Sequence, residues 1–197
     1  ILNDPKQIAA RQPSVVFKAK ILITKNKFYE SEKLLKDFLK SSPEEQYIDE
    51  ARLTLAKNLY EQTFYYPAFK ELIVLLLETK SGSYKKDAEL YTEAIALYHI
   101  DPVQVKPVAD SSNTKIKPFL LLLTGKMYLS QNRPWDAEKF FNQVIKDFPK
   151  SPEAGIANDL LTEKETTQDD RIIIALLLPL SRKETESGSQ SLAWEVL

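Results

Sequence analysis

The sequence predicts an all-α fold, a helical solenoid of about four helix-turn-helix units, on three observations. One phrase recurs: Asn26-Lys27-Phe28-Tyr29-Glu30-Ser31, Thr63-Phe64-Tyr65-Tyr66-Pro67-Ala68 and Asn132-Arg133-Pro134-Trp135-Asp136-Ala137 each lead into an apolar helical pattern. The small residues closing each phrase, Ser31, Ala68 and Ala137, lie 37 and then 69 residues apart, the second gap being two units of about 34 to 35 residues. Only 4 Gly are present, which suits helices better than sheets. Arrays of this period bury a continuous core by stacking and are used mostly as binding surfaces.

The elements follow in order. Residues 1–12, with Pro5, read as a frayed lead-in, and Pro13 opens a helix that runs to about Thr24 with Val16, Ala19 and Ile23 on one face. Phe28 to Lys40 is its partner, with Leu34, Leu35, Phe38 and Leu39 apolar. Ser41-Ser42-Pro43-Glu44-Glu45 stops it and caps the next helix. Tyr47 to Gln62 and Pro67 to Thr79 form the second pair, and Gly82 is expected to end it as a left-handed terminator. Lys85 to His99 is a third first-helix. The stretch from 101 to 118 holds Pro102, Pro107 and Pro118 and a polar cluster, so the partner there is expected to have become a loop. Pro118 to Ser130, with Gly125 at its close-packing point, and Pro134 to Asp147 form the fourth pair. A last helix to about Leu161 caps the array.

Thr162 to Asp170 is wholly polar and reads as a linker, so the repeat domain spans 13–162 and the linker 163–170. Beyond it, Arg171-Ile172-Ile173-Ile174-Ala175-Leu176-Leu177-Leu178-Pro179 is a short β-branched run of the kind buried in a parallel sheet. A loop and a helix start follow, so 171–197 reads as the stub of an α/β domain.

Composition narrows the chemistry. Charged residues are 28% of the chain with a net charge of −1, which gives no global attraction to nucleic acid or anionic membrane. There is no Cys, hence no disulfide, thiolate nucleophile or cysteine zinc site. The single His, His99, has no second His or Cys with which to form a dyad. No phosphate-binding glycine loop or metal-ligand cluster is present, so neither a catalytic residue nor a cofactor is expected. The longest apolar run, Ile172 to Leu180, is too short to span a bilayer, which takes about 18 residues or more. A chain that opens Ile1-Leu2-Asn3-Asp4 without Met is expected to be a mature or trimmed fragment, from which any signal peptide is already gone, and a lipid anchor upstream is left open.

The register resembles the tetratricopeptide repeat family. Ala56 and Gly125 fall at the small position of that family's first helix, and Leu59 and Tyr128 at its apolar position three residues later. Ser31, Ala68 and Ala137 match the small position of the second helix, and Pro43 and Pro149 the terminal proline; Lys80 stands where the second unit would have its own. The resemblance covers about residues 13 to 161 and implies a right-handed superhelix. Asp147-Phe148-Pro149-Lys150-Ser151-Pro152-Glu153-Ala154 resembles the inter-repeat phrase of bacterial envelope repeat proteins. Ile174-Ala175-Leu176-Leu177-Leu178-Pro179-Leu180-Ser181 is similar to the first strand and loop of type I periplasmic binding proteins, with Arg182-Lys183 in place of the usual glycine. Repeats followed by such a domain resemble the outer-membrane lipoprotein activators of penicillin-binding proteins.

In the repeat register the residue after the small position faces the inner groove. It is Lys20 after Ala19, Lys57 after Ala56 and Lys126 after Gly125, a basic stripe suited to an acidic or C-terminal peptide. Ile23, Tyr60, Glu61, Leu122 and Leu129 neighbour it and would add contact or simply pack. Among the aromatics at the second-helix starts, Tyr65 and Phe141 belong inside and Tyr66 and Phe140 are free to be exposed. The expected function is a non-catalytic protein-interaction scaffold in the periplasmic, outer-membrane-associated part of a bacterial envelope, recruiting or regulating cell-wall synthesis machinery. Two other readings are a repeat-fused solute (amino-acid) binding protein whose ligand site lies in a further domain, and a cytosolic scaffold.

Overall fold

The three recurring phrases fold alike. In the computed structural model, which describes residues 5–41, 44–112 and 115–166, Asn26, Thr63 and Asn132 all take left-handed backbone, at φ 57°, 64° and 56°. The residue after each donates its N–H to a carbonyl five positions back: Lys27 to Leu22 at 2.8 Å, Phe64 to Leu59 at 2.9 Å and Arg133 to Tyr128 at 2.9 Å. The left-handed residue itself donates three positions back, to Ile23, Tyr60 and Leu129 respectively. This double closure is the Schellman motif, which satisfies carbonyls that a helix end would otherwise leave open.

Nine helices occupy the described residues: α1 (Pro5–Thr24), α2 (Phe28–Lys40), α3 (Glu45–Glu61), α4 (Tyr65–Glu78), α5 (Gly82–His99), α6 (Pro102–Ser111), α7 (Lys117–Ser130), α8 (Pro134–Asp147) and α9 (Pro152–Thr166). The described residues contain no strand. Helices α2, α4 and α8 bury one register. Ser31, Leu35 and Phe38 in α2, Ala68, Leu72 and Leu75 in α4, and Ala137, Phe141 and Val144 in α8 are buried at the same i, i+4, i+7 positions. Helix α4 lies between two others and also buries Phe69, Ile73 and Leu76.

Each helix packs on its neighbours in the chain except at the α5–α6 junction, and the odd-numbered helices α1, α3, α5, α7 and α9 also touch in succession. One core runs unbroken from Val16 to Ala157. Small residues let the layers approach. Ala19 is fully buried and its carbonyl accepts the Ser31 hydroxyl at 3.0 Å. Gly125 faces the Phe141 ring so closely that a Cβ there would stand 2.3 Å from Cε1. Charged and amide side chains tie successive hairpins together. The Asn58 amide donates to the Phe28 carbonyl of the preceding hairpin at 2.9 Å, and Lys20 pairs with Glu50 across the same junction, while Arg52 bridges Glu71 and Glu78 within its own hairpin.

The structure corrects four details of the sequence reading. The stretch after α5 is helical: α6 opens on Pro102, whose missing N–H costs nothing at that position. Asp101 and Gln104 form a capping box around its start. Pro107 removes one later bond, and burial of Pro102, Val105 and Ala109 holds the helix nonetheless. This third unit still departs from the others. Its turn has extended backbone at Ile100 instead of a left-handed residue, and α6 packs along α7 rather than along α5. Secondly, α1 begins at Pro5, so most of the lead-in is helix and Pro13 lies inside it. Thirdly, Gly82 opens α5; the end of α4 is held by Thr79, whose hydroxyl donates to Asp49 at 2.6 Å, and by Lys115, which donates to the Leu77 carbonyl at 2.9 Å. Finally, α9 extends through Thr166, into the stretch read as linker. The rest of that linker and the α/β stub at 171–197 lie outside the described residues.

Candidate binding groove

Three helices of the odd-numbered layer, α1, α3 and α5, leave a groove of about 580 Å³ between them. Its floor is apolar, from Leu53 and Ala56 of α3, Leu72 of α4 and Ile95 of α5. Tyr84, Tyr91 and Tyr98 of α5 form one wall. Helical spacing puts Tyr84, Tyr91 and Tyr98 on one face, since two turns of an α-helix take about seven residues. Tyr98 is 75% exposed, so its ring is presented to solvent along the groove instead of being spent on the core.

At the end formed by the C-termini of α3 and α5 the aromatic groups interlock. His99 stacks on Tyr65 with ring centres 3.9 Å apart and 8° between planes. Tyr60 meets Tyr65 edge-on at 5.4 Å, and its hydroxyl lies 3.3 Å from His99 Nε2. Such edge and stacked arrangements match the ring quadrupoles and fix the rings in place. Burial first, then the charges of the Tyr65 phenol group and the Glu61 carboxylate, push the Tyr60 hydroxyl above the usual tyrosine range. Tyr84 is raised likewise, by burial and then by Glu50, Asp49 and Asp87.

Five of the residues expected from the sequence line this groove: Lys20, Ile23, Lys57, Tyr60 and Glu61. The other three do not. Leu122 is only 4% exposed and belongs to the core, and Leu129 packs against that core half-buried. Lys126 lies on α7, paired with Glu93 of α5 at 2.6 Å. The lysines do not form a bare basic stripe. Lys20 pairs with Glu50 of α3 at 2.6 Å, and Lys57 holds its ammonium 4.6 Å above the Tyr91 ring. Lys20 and Lys126 are thus neutralised, and Lys57 engaged, by the neighbouring odd-numbered helix. The carboxylates that neutralise them stand one repeat away in sequence, 30 and 33 residues off, a spacing that was available to find them.

Sequence reasoning missed Tyr84, Tyr91 and Tyr98 as a wall and His99 as a groove residue. The seven-residue spacing of the three tyrosines was the available signal. Phe141 is buried as expected and Tyr65 is half-buried; Tyr66 and Phe140 are half-buried too, stacked on Phe69 and Tyr128. A second depression near Glu45, Asp49, Glu78 and Lys80 is bridged by the Lys80–Glu45 ion pair. Among the described residues no three His, Asp or Glu side chains gather as a metal site, and no helix is long and apolar enough to cross a membrane.

No protein-family model matches the chain, and neither a curated protein nor a solved structure matches it.

Proposed function

We propose that the chain is a non-catalytic protein-interaction array, a right-handed tetratricopeptide-type solenoid of about four helical hairpins. In this reading it works on the periplasmic side of a bacterial envelope and holds a partner from the cell-wall synthesis machinery. The observation that carries the interaction role is the groove between α1, α3 and α5. It has a mostly apolar floor, an aromatic wall whose Tyr98 is open to solvent, and the charged side chains Lys20, Glu50, Lys57 and Glu61 in its lining. The identical left-handed turns at Asn26, Thr63 and Asn132 support the repeat assignment. The envelope setting rests on the phrase from Asp147 to Ala154.

The test is capture from a bacterial envelope extract on the immobilised chain, set beside a Tyr98→Ala/His99→Ala variant and a Lys150→Ala surface control. A cell-wall synthase retained by the native chain and the control, and lost with the groove variant, supports the proposal. Equal capture by all three moves the contact away from the groove, and no specific capture refutes the recruiting role.

A further inference from the structure

Two charges that line the groove have no counter-charge within the described residues. Lys57 and Glu61 stand one turn apart on α3, a spacing at which a lysine and a glutamate ordinarily attract each other. Here they do not pair. Lys57 turns to the Tyr91 ring, and Glu61 is exposed beside Tyr60, where no Lys or Arg reaches it. Two other lysines of the same layer are matched, Lys20 with Glu50 and Lys126 with Glu93. The groove therefore presents one separated cation and one separated anion, about 6 Å apart along α3. The apolar floor of Leu53, Ala56 and Ile95 lines the same groove.

Resting on the reading of this groove as a protein-binding site, we propose that its occupant is an amphipathic helical segment of the partner with one acidic and one basic residue a turn apart beside an apolar anchor. The acidic residue meets Lys57, the basic one meets Glu61, and the anchor covers the floor. A helix supplies this pattern directly, because side chains four residues apart share a face and lie at the same separation as Lys57 and Glu61. The four charged side chains lining the groove, Lys20, Lys57, Glu50 and Glu61, sum to zero. A wholly acidic segment would gain at Lys57 and lose at Glu61, and a wholly basic one the reverse.

Fluorescence anisotropy with labelled amphipathic peptides of about 14 residues tests this, since that length can sustain a helix on binding. The peptides share one leucine face and differ in a single pair of positions, carrying one acid and one base, two acids, or two bases. The mixed peptide is expected to bind the native chain roughly tenfold more tightly than either uniform one, the worth of one well-placed charge contact. Glu61→Lys should shift the preference to the doubly acidic peptide, and Lys57→Glu to the doubly basic one; both positions are exposed, so the fold is kept. A native chain that prefers the doubly acidic peptide, or a preference that ignores both reversals, overturns the charge-pattern inference. In those cases weakening of every peptide by Tyr98→Ala would leave the groove reading standing. Failure of every peptide to bind would remove both.

Discussion

Replacing Thr63 by Asn should make the protein more stable, although Thr63 touches no special partner. Its backbone sits at φ 64°, where the carbonyl crowds Cβ, and a β-branched side chain is the least suited to that region. The left-handed conformation costs an ordinary L-residue about 1–2 kcal/mol. Asn relieves part of this through its short polar side chain, and the chain already uses Asn at the two equivalent turns, Asn26 and Asn132. The side chain of Thr63 is exposed and has no hydrogen bond, so its removal forfeits nothing that offsets the gain. A gain of about 0.5–1 kcal/mol is expected for Thr63→Asn. Thr63→Gly should gain a similar amount, because fuller relief of strain is reduced by ~0.5–1 kcal/mol of added freedom in the unfolded chain. For a protein of this size each kcal/mol moves the midpoint by roughly 2–4 °C. Thermal unfolding followed by far-UV circular dichroism reads this directly, with Asn26→Thr and Asn132→Thr as mirror-image controls that should each lose stability. An unchanged or lowered midpoint for Thr63→Asn, together with neutral controls, would show that the turns are not strained in the way the backbone angles imply.

Two further outcomes follow from packing and charge. Gly125→Ala drives a Cβ into the Phe141 ring, and overpacking of ~1–3 kcal/mol should outweigh the ~1 kcal/mol that alanine returns in helix propensity. Adding Phe141→Leu should restore part of the loss in urea denaturation, and a more stable Gly125→Ala protein would mean that the ring has room to yield. Glu32 gives a pH signature. Burial by itself would raise its carboxyl, but hydrogen bonds from Lys36 at 2.6 Å and Gln62 at 3.0 Å, and the Lys36 charge, hold it below the usual range. A carboxylate depressed on folding contributes stability above its unfolded pKa and loses it as the pH falls through the folded one. Glu32→Gln should therefore be less stable than the native chain at neutral pH, with the gap closing in acid. Urea titrations across that range decide it, and a gap independent of pH would assign the effect to the lost hydrogen-bond geometry alone.

Most helices and the three matching turns were legible in the sequence because their signals are local. A turn phrase and a small residue four or five positions later fix where a helix ends and which face of the next one is buried, and Ser31, Ala68 and Ala137 sit where those signals put them. Helix α6 was not legible because proline content argues against a helix, whereas its capping box and its buried Val105 and Ala109 argue for one, and burial prevailed. Of the groove, the inner face of α1 and α3 was legible from the register alone. The pairing of its lysines was missed because it joins residues 30 and 33 positions apart on different helices, a spacing visible only once one helix is set beside the next of its layer. Lys126 meeting Glu93 and Lys57 settling on Tyr91 are contacts of the same long-range kind.

The turns at Asn26, Thr63 and Asn132 also have a kinetic meaning. Each closes a hairpin over a handful of residues, and most helices find their main partners immediately before and after them in the chain. Little entropy is spent on closing long loops, so such a topology belongs to the fast-folding class. A chain built this way can take up structure hairpin by hairpin as it is synthesised or threaded out of a pore, with each finished unit becoming the template on which the next one settles.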